Sequence, residues 1–293
     1  MEPRSSRMLD FLCLRGPRFN QLAMEDNIRK LIKVIPLILR DKEVLTIFEL
    51  GPRDCDNTEI FHNTYTRSKI YAFECNPGVL ESCRKKVASL KRAKLIERAV
   101  TDKNGALYFY PIDQDKSEKT NWSDGNPGAS SIFKISDKFA GEKLVQNKIT
   151  VKTIKLSSYI KTNKIKSIDF LFMDIQGAEL LALKGLSEEI YNVKIISSEV
   201  SFVEIYKKQP LFKDIKKFLN DKGFVLYCVS SFAGPFADMI FINNKYFNKP
   251  FSKLKEGILS FYYSGVVYKL YSIFRRFKYY KTIMKILRKI IAI

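Results

Sequence analysis

The stretch IDFLFMDIQGAELLALKG, residues 168–185, decides the fold. Ile168 to Met173 reads as a buried strand that runs into an acidic residue, Asp174. A turn at Gln176-Gly177 follows, and a helix opens with Glu179 in its first turn. An apolar strand leading into Asp, then Gly, then a helix is how an open α/β sheet presents a polar group at the carboxyl end of a strand, where ligands bind. The same residues admit a plainer role, with Asp174 capping the helix and Gly177 serving the turn.

Two upstream stretches repeat the signal. In TIFELGPRDCDNTEIF, residues 46–61, the run Val44 to Leu50 is apolar apart from Thr46 and Glu49, and Gly51 follows at once. Such a run suits a central parallel strand. A glycine there lets a ligand approach the backbone. Arg53, Asp54 and Cys55 fill the loop, and Asp56 or Asn57 is placed to cap the next helix. In KIYAFECNPGVLESCRKK, residues 69–86, a short strand ends on Glu74 and Asn76-Pro77 starts a helix. An acid at the end of the second strand is placed to accept bonds from ribose hydroxyls. The positions that would carry the second and third glycines of a dinucleotide fingerprint hold Arg53, Cys55 and Asn57. A pyrophosphate needs close backbone amides at the helix start. The loop therefore suits a ligand with a ribose and no phosphates, S-adenosylmethionine (SAM) foremost.

With these motifs in order, the chain resembles the FkbM family of SAM-dependent methyltransferases. The resemblance rests on Glu49-Leu50-Gly51, then Phe73-Glu74-Cys75-Asn76-Pro77, Ala99-Val100-Thr101-Asp102-Lys103-Asn104-Gly105, Gly128-Ala129-Ser130-Ser131 and the segment Ile168 to Gly185. Ser198-Glu199-Val200 ends the next strand, and the match spans about residues 44 to 245. The chain departs from the family pattern at Cys55, at Met173 and at Leu156-Ser157. The resemblance implies SAM as cofactor and methyl transfer to a hydroxyl of a glycan, a lipid-linked sugar or a secondary metabolite. Residue reading and resemblance together assign cofactor contacts to Glu49, Gly51, Asp54, Glu74, Cys75, Asn76, Ala99, Val100 and Asp174. Asp174 is also the catalytic candidate. Ser130, Ser131, Gln176, Glu179 and Glu199 fall on the substrate side. His62, the single histidine, is a second candidate base, one turn into the first helix.

The predicted fold is α/β: a doubly wound, mostly parallel seven-stranded sheet with a final antiparallel hairpin, the class I methyltransferase-like variant of the Rossmann fold. Strands are expected near 44–50, 69–74, 94–98, 168–173, 194–199, 224–229 and 237–242. Helices are expected near 57–66, 78–90, 155–163, 178–190 and 211–221. The late hairpin separates this fold from a dinucleotide-binding sheet, which would continue through crossover helices. Ala106 to Tyr110 and Ile149 to Thr153 pattern as a smaller hairpin, and the polar loop between them, with Trp122, reads as a lid. Three units follow: an irregular segment and helix over 1–43, a methyltransferase domain over 44–247, and a basic tail over 248–293.

Composition narrows the alternatives. The formal charge is +20 on 293 residues, and residues 251–293 are the most lopsided part. There Val266, Val267, Leu270, Ile273, Phe274 and Phe277 share one helical face, with Lys269, Arg275, Arg276 and Lys278 off it. Ile283, Ile286, Leu287 and Ile290 form a second stripe. This tail reads either as docking on the body or on a second copy, giving a homo-oligomer, or as peripheral contact with an anionic inner-membrane surface. Five cysteines without paired spacing point to reduced thiols, a cytoplasmic setting and no metal site. No apolar run reaches 18 residues. No nucleic-acid signature accompanies the charge, so no nucleic-acid partner is expected. Two other classes stay open at this point: a NAD-dependent oxidoreductase, and a non-enzymatic basic protein of membrane surfaces.

Overall fold

The computed structural model describes residues 43–118, 126–137, 143–232 and 235–247, together with helical residues between 28 and 39. The basic tail, the segment over 1–23 and Trp122 lie outside the described residues.

Seven strands form the main sheet. In chain order they are β1 (Thr46–Leu50), β2 (Lys69–Glu74), β3 (Ala93–Glu97), β7 (Ile168–Met173), β8 (Val193–Ser201), β9 (Phe224–Phe232) and β10 (Phe236–Asn243). Their spatial order is β3-β2-β1-β7-β8-β10-β9. The five strands from β3 to β8 are parallel, whereas β10 runs antiparallel to both β8 and β9. The helices are α1 (Asp56–Thr64), α2 (Pro77–Ala88), α3 (Leu156–Thr162), α4 (Glu179–Gly185) and α5 (Phe212–Asp221). The predicted mostly parallel seven-stranded sheet and its final antiparallel hairpin are both present.

Alternation along each strand feeds two cores. Ile47, Phe170, Ile195 and Ile240 pack on one face with Phe61 and with Ile28, Leu31 and Ile35 of the N-terminal helix. Phe48, Leu171, Ile196 and Phe241 pack on the other with Leu156, Leu183 and Leu219. Burying each of these side chains contributes about 1.5–3 kcal/mol. In α5, Phe212, Ile215 and Leu219 repeat at helical spacing and are buried. The Asp214 carboxylate accepts from the Leu211 N–H at 2.9 Å and closes the first turn.

Several local expectations need correcting. The helix after β1 is not capped by Asp56 or Asn57: its N-cap is Cys55, in the left-handed region at φ 61°, without a side-chain cap. Asp54 reaches in instead and accepts from the Asp56 N–H at 3.1 Å. The helix expected over 178–190 splits into α4 and a 3-10 turn over Ser187–Asn192, because Ser187 takes φ 50°. A Cβ on Gly185 would stand 2.3 Å from the Thr101 carbonyl oxygen, so the end of α4 packs directly on backbone. The smaller hairpin of β5 (Gly105–Phe109) and β6 (Ile149–Lys155) gains a third member, β4 (Ala99–Thr101), parallel to β6. Three residues carry too little periodicity to announce a strand.

Candidate functional site

An open cleft of about 590 Å³ lies at the carboxyl ends of β1, β2 and β7. Of the residues assigned from sequence, Gly51, Glu74, Cys75, Asn76, Ala99, Val100, Ser130, Asp174 and Gln176 line it. Glu49, Asp54, Ser131, Glu179 and Glu199 are not among the lining residues.

The β1 loop is built on close approach. The Gly51 N–H donates to the Phe73 carbonyl at 3.0 Å, and the Asp174 N–H to the Leu50 carbonyl at 3.0 Å. The sheet ladder thus extends past the strand ends. Gly51 has φ 78°, and a Cβ there would sit 2.0 Å from the Asp174 carbonyl oxygen. Glycine is needed here first because two strand-end loops touch.

Glu74 organises the next turn. Its Oε1 accepts from the Cys75 and Asn76 N–H groups at 2.7 and 2.8 Å, and its Oε2 from the Arg53 N–H at 3.1 Å. Burial pushes its carboxyl up and the three backbone bonds pull it back, leaving a net rise above the usual carboxylate range. Asn76 caps α2, its Oδ1 accepting from the Gly78 N–H, while its Nδ2 donates to Ser130 Oγ at 3.4 Å. Burial also raises the Cys75 thiol.

Beneath Gly51, Glu49 is fully buried. Thr58 Oγ1 donates to its Oε2 at 2.5 Å, and its Oε1 has no partner. Burial drives this carboxyl up to about 8, so it is largely protonated at neutral pH. Glu179 is likewise buried and raised to about 8, chiefly by desolvation. Its Oε1 accepts from the Ile175 and Gly177 N–H groups at 3.0 and 3.4 Å, bracing the turn in which Gln176 takes φ 52°. Asp174 does not cap α4, whose N-cap Ala178 has no side-chain cap. Gln176 Nε2 instead donates to Asp174 Oδ1 at 2.7 Å and to Glu199 Oε2 at 3.3 Å. Burial raises both carboxyls, Glu199 the further, because it also faces Asp174, Asp238 and Glu179. Ser131 Oγ donates to the Gln176 carbonyl at 2.7 Å and ties the Gly128–Ser131 segment to the same turn. His62 lies on α1 away from the cleft lining, its Nδ1 3.1 Å from Asn63 Oδ1.

Sequence reading missed the far wall. Arg98, Phe109 and Ile132 line the cleft, as does Arg53, whose Cδ rests where a Gly128 Cβ would meet it at 3.2 Å. Arg98 directly precedes Ala99-Val100, so adjacency to that motif was the available signal. Phe109 and Ile132 come from β5 and its following loop, which only the folded chain brings over the sheet edge.

The donors and acceptors suit a nucleoside without phosphates. One rim carries the Glu74 carboxylate, the floor at Ala99 and Val100 is small and apolar, and among the described residues the β1 loop offers no glycine-rich row of amides. Residues of the kind that could hold SAM are therefore in place: an acid at Glu74, small apolar side chains at Ala99 and Val100, and the close backbone corner of Gly51 and Asp174.

A family model described as the methyltransferase FkbM domain matches residues 51–226. The 2-O-methyltransferase NoeI of Sinorhizobium fredii is 28% identical over 173 residues, which is 58% of this chain and 69% of that protein. Among solved structures, a SAM dependent methyltransferase from Aquifex aeolicus covers 83% of this chain and 99% of its own, at TM-score 0.40 and 14% identity. TrmK from M. capricolum, in complex with S-adenosyl-homocysteine, covers 88% of this chain and 96% of its own, at TM-score 0.42 and 10% identity.

Proposed function

Because the chain belongs to the FkbM methyltransferase family, with SAM as its cofactor, we propose that it methylates a hydroxyl group on a glycan, a lipid-linked sugar or a secondary metabolite. The observation that carries this reading is the corner where Gly51 and Asp174 meet in a cleft that Glu74 also lines. The relative NoeI is named a 2-O-methyltransferase, which supports an oxygen acceptor.

Bound SAM supplies an electrophilic methyl group on a sulfonium sulfur. The chain must hold an acceptor hydroxyl in line with it and take the proton as the oxygen is methylated and the sulfonium becomes a neutral thioether. Asp174 is the group we assign to that proton, since it lines the cleft and Gln176 holds its Oδ1. Glu74 is assigned to the cofactor ribose, and Ser130 with Gln176 to the acceptor side. Asp54, Glu49, Glu179, Ser131 and Glu199 support these groups from behind. The methyltransferase unit we propose is 44–247. The basic segment 248–293 is proposed as its docking element, on the protein or on an anionic membrane. Among the described residues no helix is long and apolar enough to cross a membrane.

The test has two steps. Calorimetry on the full chain with SAM, S-adenosylhomocysteine, NAD and ATP should give binding of the first two alone. The protein with SAM is then offered a panel of methyl glycosides and oligosaccharides, with S-adenosylhomocysteine release as readout. Release above the acceptor-free rate with a glycoside supports the reading. Release only with amine or thiol acceptors overturns it.

A further inference from the structure

Tyr206 sits in the loop between β8 and α5, some thirty residues beyond the turn after β7, and is buried. Its Oη lies 2.8 Å from Gln176 Oε1 and 2.9 Å from the Ala129 carbonyl oxygen. Gln209 Oε1 accepts from the Ile205 N–H at 3.0 Å and holds the loop backbone, and the ring edge lies beside Gly177, where a Cβ would meet Tyr206 Cδ2 at 3.5 Å. The phenol therefore touches the two loops that carry the acceptor-side candidates.

An amide has two different ends, and the single phenol hydrogen, shared between Gln176 Oε1 and the Ala129 carbonyl, distinguishes them together with the carboxyl oxygens on the other side of the amide. With Oε1 toward the phenol, Gln176 must turn its two N–H bonds toward Asp174 and Glu199, at 2.7 and 3.3 Å. Rotated the other way, Oε1 would face a carboxylate oxygen at the same short distance, which is repulsive for an ionised group. We propose that Tyr206 is a positioning residue for methyl transfer: through the Gln176 amide it holds Asp174 and Glu199 as one carboxyl pair, with Asp174 at the cleft and Glu199 behind it. The inference rests on the reading above that Asp174 takes the acceptor proton.

Two neighbouring carboxyls sharing a site cannot both ionise easily. The groups facing this pair are Glu49 from β1, Arg53 from the loop after β1, Glu179 from α4 and Asp238 from β10. Only Arg53 among them favours ionisation, and it acts on Asp174. Glu199 faces acids alone. Burial raises both carboxyls, Glu199 well above the ordinary range, while Arg53 and the oriented N–H of Gln176 oppose the rise on Asp174, so Asp174 is the member of the pair that ionises more readily.

The experiment is a carboxyl titration by ¹³C NMR on the full chain, with Asp and Glu labelled and S-adenosylhomocysteine present, using Asp174→Asn and Glu199→Gln to assign the pair. Wild type should show two separated transitions, the lower on Asp174. In Tyr206→Phe the amide loses its orientation, and the lower transition should rise by about one pH unit, the size of a lost bond to a charged group. Gln176→Met removes the amide itself and should raise it at least as far, which decides the matter if Tyr206→Phe does not fold. With an acceptor from the glycoside panel, Tyr206→Phe should lower kcat about tenfold and move the rising limb of the pH–rate profile up by the same interval. The acceptor KM and the affinity for S-adenosylhomocysteine should hold. Wild-type titration in both Tyr206→Phe and Gln176→Met overturns the positioning role, even where Asp174→Asn is inactive. Full turnover in Asp174→Asn overturns the assignment of the acceptor proton to Asp174 and the positioning role with it.

Discussion

At the two ends of one strand, β7, stand two aspartates with opposite treatment, Asp169 buried and Asp174 half-buried in the cleft wall. At the amino end, Asp169 Oδ2 accepts from the Leu45 and Thr46 N–H groups at 2.8 and 2.9 Å, and Lys194 Nζ meets its Oδ1 at 2.5 Å. Every oxygen there has a partner, one of them a cation. At the carboxyl end, Asp174 has one amide N–H on Oδ1 and sits among Glu49, Glu179 and Glu199, whose carboxyls are all raised by burial. The difference separates a carboxylate that joins strands from the one assigned above to the reaction. Pairing lowers the cost of burial at one end, whereas acids crowd together at the other and Arg53 offsets the rise on Asp174 only in part.

The contrast predicts divergent mutants. Asp169→Ala leaves Lys194 and two backbone N–H groups without their acceptor, so stability to urea should fall by about 3–5 kcal/mol with affinity for S-adenosylhomocysteine unchanged in the folded fraction. A loss of that affinity would mean the two ends are not independent. Asp174→Asn should do the reverse, cutting turnover about 100-fold, or about 2.7 kcal/mol in barrier height, while the urea midpoint holds or rises. Full turnover in this variant would reduce Asp174 to a structural residue.

Glu74 lies between these extremes, because it both braces a turn and faces the cleft. Glu74→Ala should weaken S-adenosylhomocysteine binding by about 1.5–3 kcal/mol in calorimetry and also lower the melting temperature. Glu74→Gln can keep the oxygen that accepts from Cys75 and Asn76 while giving up the charge and the bond from the Arg53 N–H, so it should lose less stability than Glu74→Ala.

The smallest effect is a slope. Glu49 and Glu179 hold their protons up to about 8, against 4.5 for an ordinary glutamate. Between those values the native state binds protons that the unfolded chain has released, so stability is greatest at the acid end of the window and falls as pH rises through about 8. Glu49→Gln should flatten that slope in urea titrations across the window. An unchanged slope would show that Glu49 is ionised in the fold.

Sequence made the top of the sheet legible because its signals are local. Leu50-Gly51, Glu74-Cys75-Asn76-Pro77 and Asp174 to Gly177 each join an apolar run to a residue with special backbone or charge, within a few positions. Asp169 was read merely as part of an apolar strand, because its partners Leu45, Thr46 and Lys194 come from two other segments. Glu179 patterned as a candidate facing substrate, yet it accepts from the backbone of its own turn. That distinction depends on Gln176 adopting a left-handed backbone, which no propensity scale encodes. Tyr206 went unnoticed because a buried tyrosine is ordinary, and its meaning lies in which end of a distant amide it touches.

The position of β10 between β8 and β9 bears on how the chain is made. Strand β8 ends at Ser201, and its neighbour in the sheet does not begin until Phe236. During synthesis, the growing sheet therefore presents β8 as an open edge while the intervening residues emerge, and β9 appears before the strand it must pair with. Unpaired edges recruit other strands. The helix α5 with its buried Phe212, Ile215 and Leu219 is already available in that interval, and it packs on the face of β8. A ribosome stalled before residue 236 would hold a nascent chain with its cofactor corner already encoded and its sheet unfinished. Chaperone dependence should end once β10 has slotted home.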